Sequence, residues 1–313
     1  MPFAIGGTQR IRTNTPAENA YNALDVSNRD ISLRQLRLST GLRINNAGDD
    51  VAGYITSRAL IARNGALQSA LLSVGDAKNL SSITMDALDN INGLLTKIKD
   101  ATAQASSGAM GTDEKVALAK AAYRMVEQIQ TVVNSTVFGG AQLLDGNFSS
   151  DFVIGMNAQN VLQTLELNLN SNNPDFNVES NNFDVNSTST VNFGGVSGLN
   201  LISFNSVSAT DLGIFQASMI ALTLTSLANA LNNTNKVASY LGGISNRLDS
   251  QEDLIRNQIT NYNAAISRIQ DADVAKEQLE LIKSQFLQQS SLTSLAQANQ
   301  NPGSFLQLIR GGA

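Results

Sequence analysis

The sequence predicts a mainly α protein: a long antiparallel coiled-coil helical hairpin with a small β-hairpin region at the middle of the chain. Three observations lead there. Each half of the chain carries one long run of apolar residues spaced alternately three and four apart. A shorter helical pattern lies outside each long one, toward the two ends. Between the halves, the helical period disappears and turn residues accumulate.

At the amino-terminal end Leu24, Ile31 and Leu38 repeat every seven residues, with Asn28 and Gln35 between them. A polar linker, Asn45 to Asp50, ends that helix. The next run steps through Leu67, Ala70, Val74, Ala77, Ser81, Thr84, Leu88, Ile91, Leu95 and Ile98, a coiled-coil seam. Ser106 to Gly111 (SSGAMG) breaks it, and Thr112 followed by Asp113 and Glu114 reads as an N-cap with acids in the first turn. The third helix has two adjacent apolar rows, Leu118, Ala122, Met125, Ile129, Val132 and Val116, Ala119, Tyr123, Val126, Val133. A face that broad suits two neighbouring helices.

From about Phe138 the pattern changes. Phe152 to Ile154 and Leu162 to Leu169 alternate or run apolar as strands do, with turn signals at Gly139, Gly140, Asp145, Gly146 and Asn172 to Pro174. Residues 174–208 are rich in Asn, Ser and Gly, which fits a small β excursion or a loop.

The period returns with Leu227, Leu231, Thr234, Ala238, Leu241, Ser245, Leu248, Glu252, Ile255, Ile259, Tyr262, Ile266 and Ile269 in strict four-three alternation. A helix of that extent would be about 64 Å long and demands an equally long partner. The first half's run is the obvious one. The phase is lost at Asp271 to Asp273, and a second pattern starts at Leu279, Ile282 and Phe286 and continues through Leu292 and Leu295. This predicts a rod core of Leu67, Leu88, Leu95, Leu241, Leu248, Ile255, Tyr262 and Ile269, with a separate packing unit formed by the two outer helices.

Composition narrows the function. The chain has 313 residues, a net charge of -5, and no His, Cys or Trp. The commonest general base, the thiol nucleophile and the soft metal ligands are therefore missing. No catalytic, cofactor-binding or metal-ligating residues are assigned. No Lys or Arg lies between Arg124 and Lys236, so the middle is acidic. That speaks against nucleic acid, which needs clustered basic charge. Residues 215–231 carry too many polar side chains for a membrane span. Met1 to Arg12 has no secretory signal pattern, so export is expected by a route that reads no cleavable signal. The carboxylate groups Asp49, Asp50 and Asp271, Asp273 lack the spacing of a Ca²⁺ loop and are read as helix caps and junction contacts.

Several linear motifs carry a resemblance. Leu38 to Asn45 (LSTGLRIN), followed by Asp49 to Gly53 (DDVAG), closely resembles the amino-terminal signature of bacterial flagellins. Phe138 to Leu144 (FGGAQLL) also resembles that amino-terminal signature, and Phe152 to Gln159 (FVIGMNAQ) is similar to the family's hairpin region. Ser267 to Asp273 (SRIQDAD) and Leu295 to Gln300 (LAQANQ) resemble its carboxy-terminal signature. The resemblance implies a secreted structural subunit that self-assembles through its terminal helices into the bacterial flagellar filament for swimming motility. It implies an inner domain of residues 1–45 and 274–313, a rod domain of residues 46–170 and 210–273, and an outer loop or β excursion at 171–209. The assembly residues expected are Leu24, Ile31, Leu38, Leu42, Arg43, Ile44, Asn45, Leu279, Ile282, Phe286, Leu292, Leu295 and Asn299. Partners implied are further copies of the chain, with an export chaperone and junction and cap proteins. A hook–filament junction protein and a coiled-coil adhesin or scaffold are the alternative readings.

Overall fold

The computed structural model describes residues 13–157, 161–170, 173, 192–193, 196–197, 208–210, 212 and 215–310. It is mainly α, with small antiparallel strand pairs. The helices are α1 (Thr15–Thr40), α2 (Val51–Ala105), α3 (Thr112–Ser135), α4 (Ala217–Gln270) and α5 (Val274–Arg310). The strands form three antiparallel pairs: β1 (Val137–Phe138) with β2 (Ala141–Gln142), β3 (Ser149–Met156) with β4 (Leu162–Asn168), and β5 (Asn192–Phe193) with β6 (Val196–Ser197). The rest of 171–209, apart from Asn173, Ser208 and Ala209, lies outside the described residues. No described helix is long and apolar enough to cross a membrane.

The chain divides into two compact units, residues 65–259 and residues 1–64 with 260–313. In the first, all ten seam positions of α2 from Leu67 to Ile98 are buried. The pairing with α4 is antiparallel and in register. Lys78 meets Asp249 at 2.6 Å, and fourteen residues further along α2 the Asn92 amide donates to Asn235 Oδ1 at 2.9 Å, fourteen residues back along α4. Two heptads on one helix thus match two on the other.

The seam of α4 departs from the sequence pattern by one residue. Leu227, Thr234, Leu241, Leu248 and Ile255 are buried as expected, but Ala230, Val237 and Ile244 fill the intervening row. Leu231, Ala238, Ser245 and Glu252 are only half-buried. Both rows satisfy a three-four spacing, and burying Val237 and Ile244 removes more apolar surface than Ala238 and Ser245 would. Of the rod core residues, Leu67, Leu88, Leu95, Leu241, Leu248 and Ile255 are buried here. Tyr262 and Ile269 are half-buried and group with the terminal unit.

Helix α3 buries Ala119, Ala122, Val126, Ile129, Gln130 and Val133. Its cap is Gly111 rather than Thr112, which is the first helical residue. The Gly111 N–H donates to Glu114 Oε2 at 3.1 Å, so the acid three residues on supplies the capping contact. The β3–β4 hairpin is pinned at several points. Val153 N–H donates to Ser73 Oγ of α2 (3.0 Å), and Asn168 N–H donates to the Tyr240 hydroxyl of α4 (3.3 Å). The ladder shifts register between Val153 and Gly155, and the Gln251 amide of α4 donates to the Ile154 carbonyl at that irregularity (2.7 Å).

Candidate assembly surface

The terminal unit is built on α1 and α5, which pack antiparallel. Asn14 Nδ2 donates to the Ala298 carbonyl (2.8 Å), Gln288 Nε2 to Asn28 Oδ1 (2.6 Å) and Arg34 Nη1 to Glu277 Oε2 (2.8 Å). Asn14 also caps α1, accepting from Ala17 N–H, with Pro16 in the first turn. Gly41 ends α1 at φ 70°, the left-handed conformation that glycine adopts without penalty.

The facing seam mixes apolar and polar residues. On α1 it runs Ala17, Ala20, Leu24, Ser27, Ile31, Arg34 and Leu38, with Ser27 fully buried. Asn28 and Gln35, which the sequence pattern places between the apolar repeats, are exposed; Ser27 and Arg34 occupy those seam positions. On α5 the seam is Glu277, Leu281, Ser284, Gln288, Ser291, Leu295 and Ala298, with Glu277, Ser284 and Ala298 buried.

Other large apolar residues of α5 lie outside the seam. Leu279, Ile282 and Phe286 are 64%, 58% and 70% exposed, and Leu292 is also exposed. Asn299 is exposed, whereas Leu295 is half-buried in the seam. On α1, Leu24, Ile31 and Leu38 are half-buried, and Tyr21, Val26 and Leu36 face outward. The expected assembly set therefore splits between the inside and the outside of the helix pair.

Leu42, Arg43, Ile44 and Asn45 do something different. The α1–α2 and α4–α5 linkers zip together as a short antiparallel ladder. Leu42 bridges Asp271, Arg43 N–H donates to the Gln270 carbonyl (2.7 Å), and Ala272 N–H donates to the Gly41 carbonyl (2.9 Å). Arg43 Nη2 donates to the Ile269 carbonyl at 2.6 Å, so guanidinium and backbone together satisfy carbonyls that the end of α4 leaves open. Ile44 is buried, and Asn45 Nδ2 donates to the Leu42 carbonyl (3.0 Å).

Asp50 and Asp273 cap α2 and α5, Asp49 closes the linker turn, and Asp271 takes part through its backbone bridge to Leu42. Asp49 accepts from the N–H groups of Asn45 and Asn46, Asp50 from Gly53 N–H, and Asp273 from Ala275 and Lys276 N–H. The backbone donors at Asn46 and Asn45 hold the Asp49 carboxyl below its ordinary pKa. In the same unit Asn64 Nδ2 donates to Asn263 Oδ1 at 2.5 Å, joining α2 to α4.

Comparison with known proteins gives this arrangement a family. Residues 11–149 match the model of the bacterial flagellin N-terminal helical region, and residues 224–309 that of the C-terminal helical region. A flagellin of Bacillus subtilis (strain 168) is 30% identical over 311 residues, covering 96% of this chain and 100% of the relative. A flagellin of Halalkalibacterium halodurans is 28% identical over 310 residues, covering 96% and 99%. Among solved structures, a flagellar hook-associated protein from Vibrio parahaemolyticus aligns with a TM-score of 0.52 at 14% identity, covering 71% of this chain and 100% of that one. That likeness is one of fold alone. Helical regions at both ends, a buried rod seam between them and full-length relatives converge on one conclusion: the chain belongs to the bacterial flagellins, the structural subunits that self-assemble into the flagellar filament.

Proposed function

We propose that neighbouring copies meet on the outward faces of α1 and α5, and that the row Leu279, Ile282 and Phe286 is the principal contact. The observation that supports this is a second apolar row: the seam already holds Leu281 and Leu295 beside Glu277, Ser284 and Gln288, yet Leu279, Ile282 and Phe286 stand outside it with no cover from α1. Fully burying a Leu, Ile or Phe side chain is worth about 1.5–3 kcal/mol. With Leu279, Ile282 and Phe286 more than half exposed, most of that remains to be gained by association. In this reading residues 1–45 and 274–313 form the filament's inner layer, residues 46–170 and 210–273 surround it, and 171–209 face outward.

Serines, Arg34, Glu277 and Gln288 interrupt the seam and make the helix pair marginal by itself, because a helix in water depends on burying an apolar face. Ordering the two ends and joining the filament then become one step, with burial offsetting a backbone ordering cost of about 1–2 kcal/mol per residue. A loosely held pair of ends also suits passage through a narrow export channel into the extracellular filament. A chaperone covering the apolar row before export, and junction and cap proteins contacting the same ends, complete the proposed set of partners.

Seeded growth tests the surface. Replacing Leu279, Ile282 and Phe286 together by Gln should leave the rod's helicity unchanged and slow elongation from seeds at least tenfold, read by light scattering and electron microscopy. Elongation at the parent rate would refute the assignment.

A further inference from the structure

Among the described residues Glu277 is the one charged side chain in the buried class, at 5% exposure. Arg34 Nη1 reaches it at 2.8 Å and Arg37 Nη1 at 3.4 Å. One carboxylate thus serves two guanidiniums, and the Nε atoms of both arginines are buried without an acceptor. Taking three charges out of water with incomplete pairing is a poor source of stability, and such groups are better suited to choosing between arrangements. Their placement helps: Arg37 lies in the last turn of α1 and Glu277 in the first turn of α5, so each of these charges complements its own helix dipole.

The alternative arrangement is visible in the sequence of α5. At about 100° per residue, Leu281, Ser284 and Gln288 fall within about 40° of Glu277, whereas Leu279, Ile282 and Phe286 lie about 140–200° away. Two such helices left to hydrophobic attraction alone would turn the second group onto Leu24, Ile31 and Leu38 of α1. That rotation would move Glu277 to the far side and leave Arg34 and Arg37 against apolar side chains. The structure has the opposite phase, with Ser27 and Ser284 buried in the seam.

We infer that Glu277, held by Arg34 and Arg37, locks the rotational phase of α5 so that its apolar row is kept from collapsing onto α1 and is left for a second copy. The triplet is then a specificity determinant of assembly. The inference rests on the reading of that row as the surface between copies, and the experiment separates the two.

The chain has no Cys, so an introduced pair reports the phase without background. Asn28→Cys with Gln288→Cys reads the observed phase, since these side chains are hydrogen-bonded at 2.6 Å. Asn28→Cys with Ser290→Cys reads a phase about 200° away. In the full chain under mild oxidation, the first disulfide should dominate. Neutralising the triplet (Arg34→Gln, Arg37→Gln, Glu277→Gln) should shift the ratio toward the second at least fivefold and slow seeded elongation at least tenfold. Inverting it (Arg34→Glu, Arg37→Glu, Glu277→Arg) should restore the ratio and the rate to within about twofold. An unchanged ratio in the neutral variant, or an inverted variant that behaves like the neutral one, would overturn the lock. Normal growth of the Leu279, Ile282 and Phe286 variant would instead overturn the surface assignment, while the disulfide ratio decides the role of the triplet by itself.

Discussion

Arg43 donates from its guanidinium to the main-chain carbonyl of Ile269, 226 residues away in sequence, at 2.6 Å. The contact closes the last turn of α4 with a side chain from the other half of the chain, beside the Leu42–Asp271 bridge. A charge-assisted hydrogen bond of this kind contributes roughly 1.5–3 kcal/mol when shielded, and less here because the side chain is 45% exposed. Arg43→Ala should therefore destabilise the terminal unit by about 1 kcal/mol, and Arg43→Lys by nearly as much, since Lys lacks the planar fork. Filament melting followed by circular dichroism measures both.

Gly53 is required for space. A Cβ there would lie 2.6 Å from Asp50 Oδ2 and 2.6 Å from Ile44 Cδ1. Ile44 is buried and the Asp50 carboxylate caps the same turn, so neither moves freely. Gly53→Ala should cost about 1–3 kcal/mol despite the better helix propensity of Ala. A variant that melts at or above the parent temperature would contradict this.

Lys78 joins Asp249 and Glu252, and Glu252 also accepts from Arg256. The Lys78 amine is raised above its ordinary pKa by hydrogen bonding to Asp249 and then Glu252, while Glu252 is lowered by Lys78 and then Arg256. These opposite directions set a window. The Glu252 contribution is complete above the ordinary value of 4.5 and fades as pH falls through its lowered folded value. The Lys78 contribution is complete below 10.5 and fades as pH rises through its raised folded value. Solvent screening keeps the whole below about 1 kcal/mol. The melting difference between parent and Lys78→Met should be level from about pH 5 to 10 and shrink beyond both ends.

Coupling of order to assembly predicts that circular dichroism gains helix on polymerisation, by an amount comparable to α1 and α5. Deleting residues 297–313 should leave the rod helices intact and abolish growth. Equal helicity before and after assembly, with ends that resist protease in the free chain, would end the coupled account.

The segment 171–209 has no Lys or Arg and carries no helical period. Under the proposed outward placement such a segment tolerates replacement. Exchanging residues 177–195 for a short Gly/Ser linker should leave filaments of normal length in electron micrographs. Loss of filaments would show that the segment makes contacts between copies.

Much of the fold is legible in the sequence. Strong periodicity announces a helix and an apolar row announces a buried face, so the α2 seam from Leu67 to Ile98 and the caps at Asp50 and Asp273 can be read residue by residue. Such signals are local: each needs only the spacing of neighbours along one helix.

Phase and partnership are not local, and on three helices the buried row differs from the one the spacing suggests. On α4 the row Ala230, Val237, Ile244 replaces Leu231, Ala238, Ser245, and on α1 Ser27 and Arg34 replace Asn28 and Gln35. On α5 the buried stripe is Glu277, Ser284 and Ala298, with Leu279, Ile282 and Phe286 on the opposite side. A helix with apolar residues on more than one side has no single preferred inward face. Which stripe turns inward depends on groups far away in sequence: Arg34 and Arg37 meet Glu277 across 243 and 240 residues. The pattern of apolar residues thus dictates that helices form and pair, while tertiary contacts decide which face turns inward, through apolar burial on α4 and through the Arg34, Arg37 and Glu277 contacts on α5.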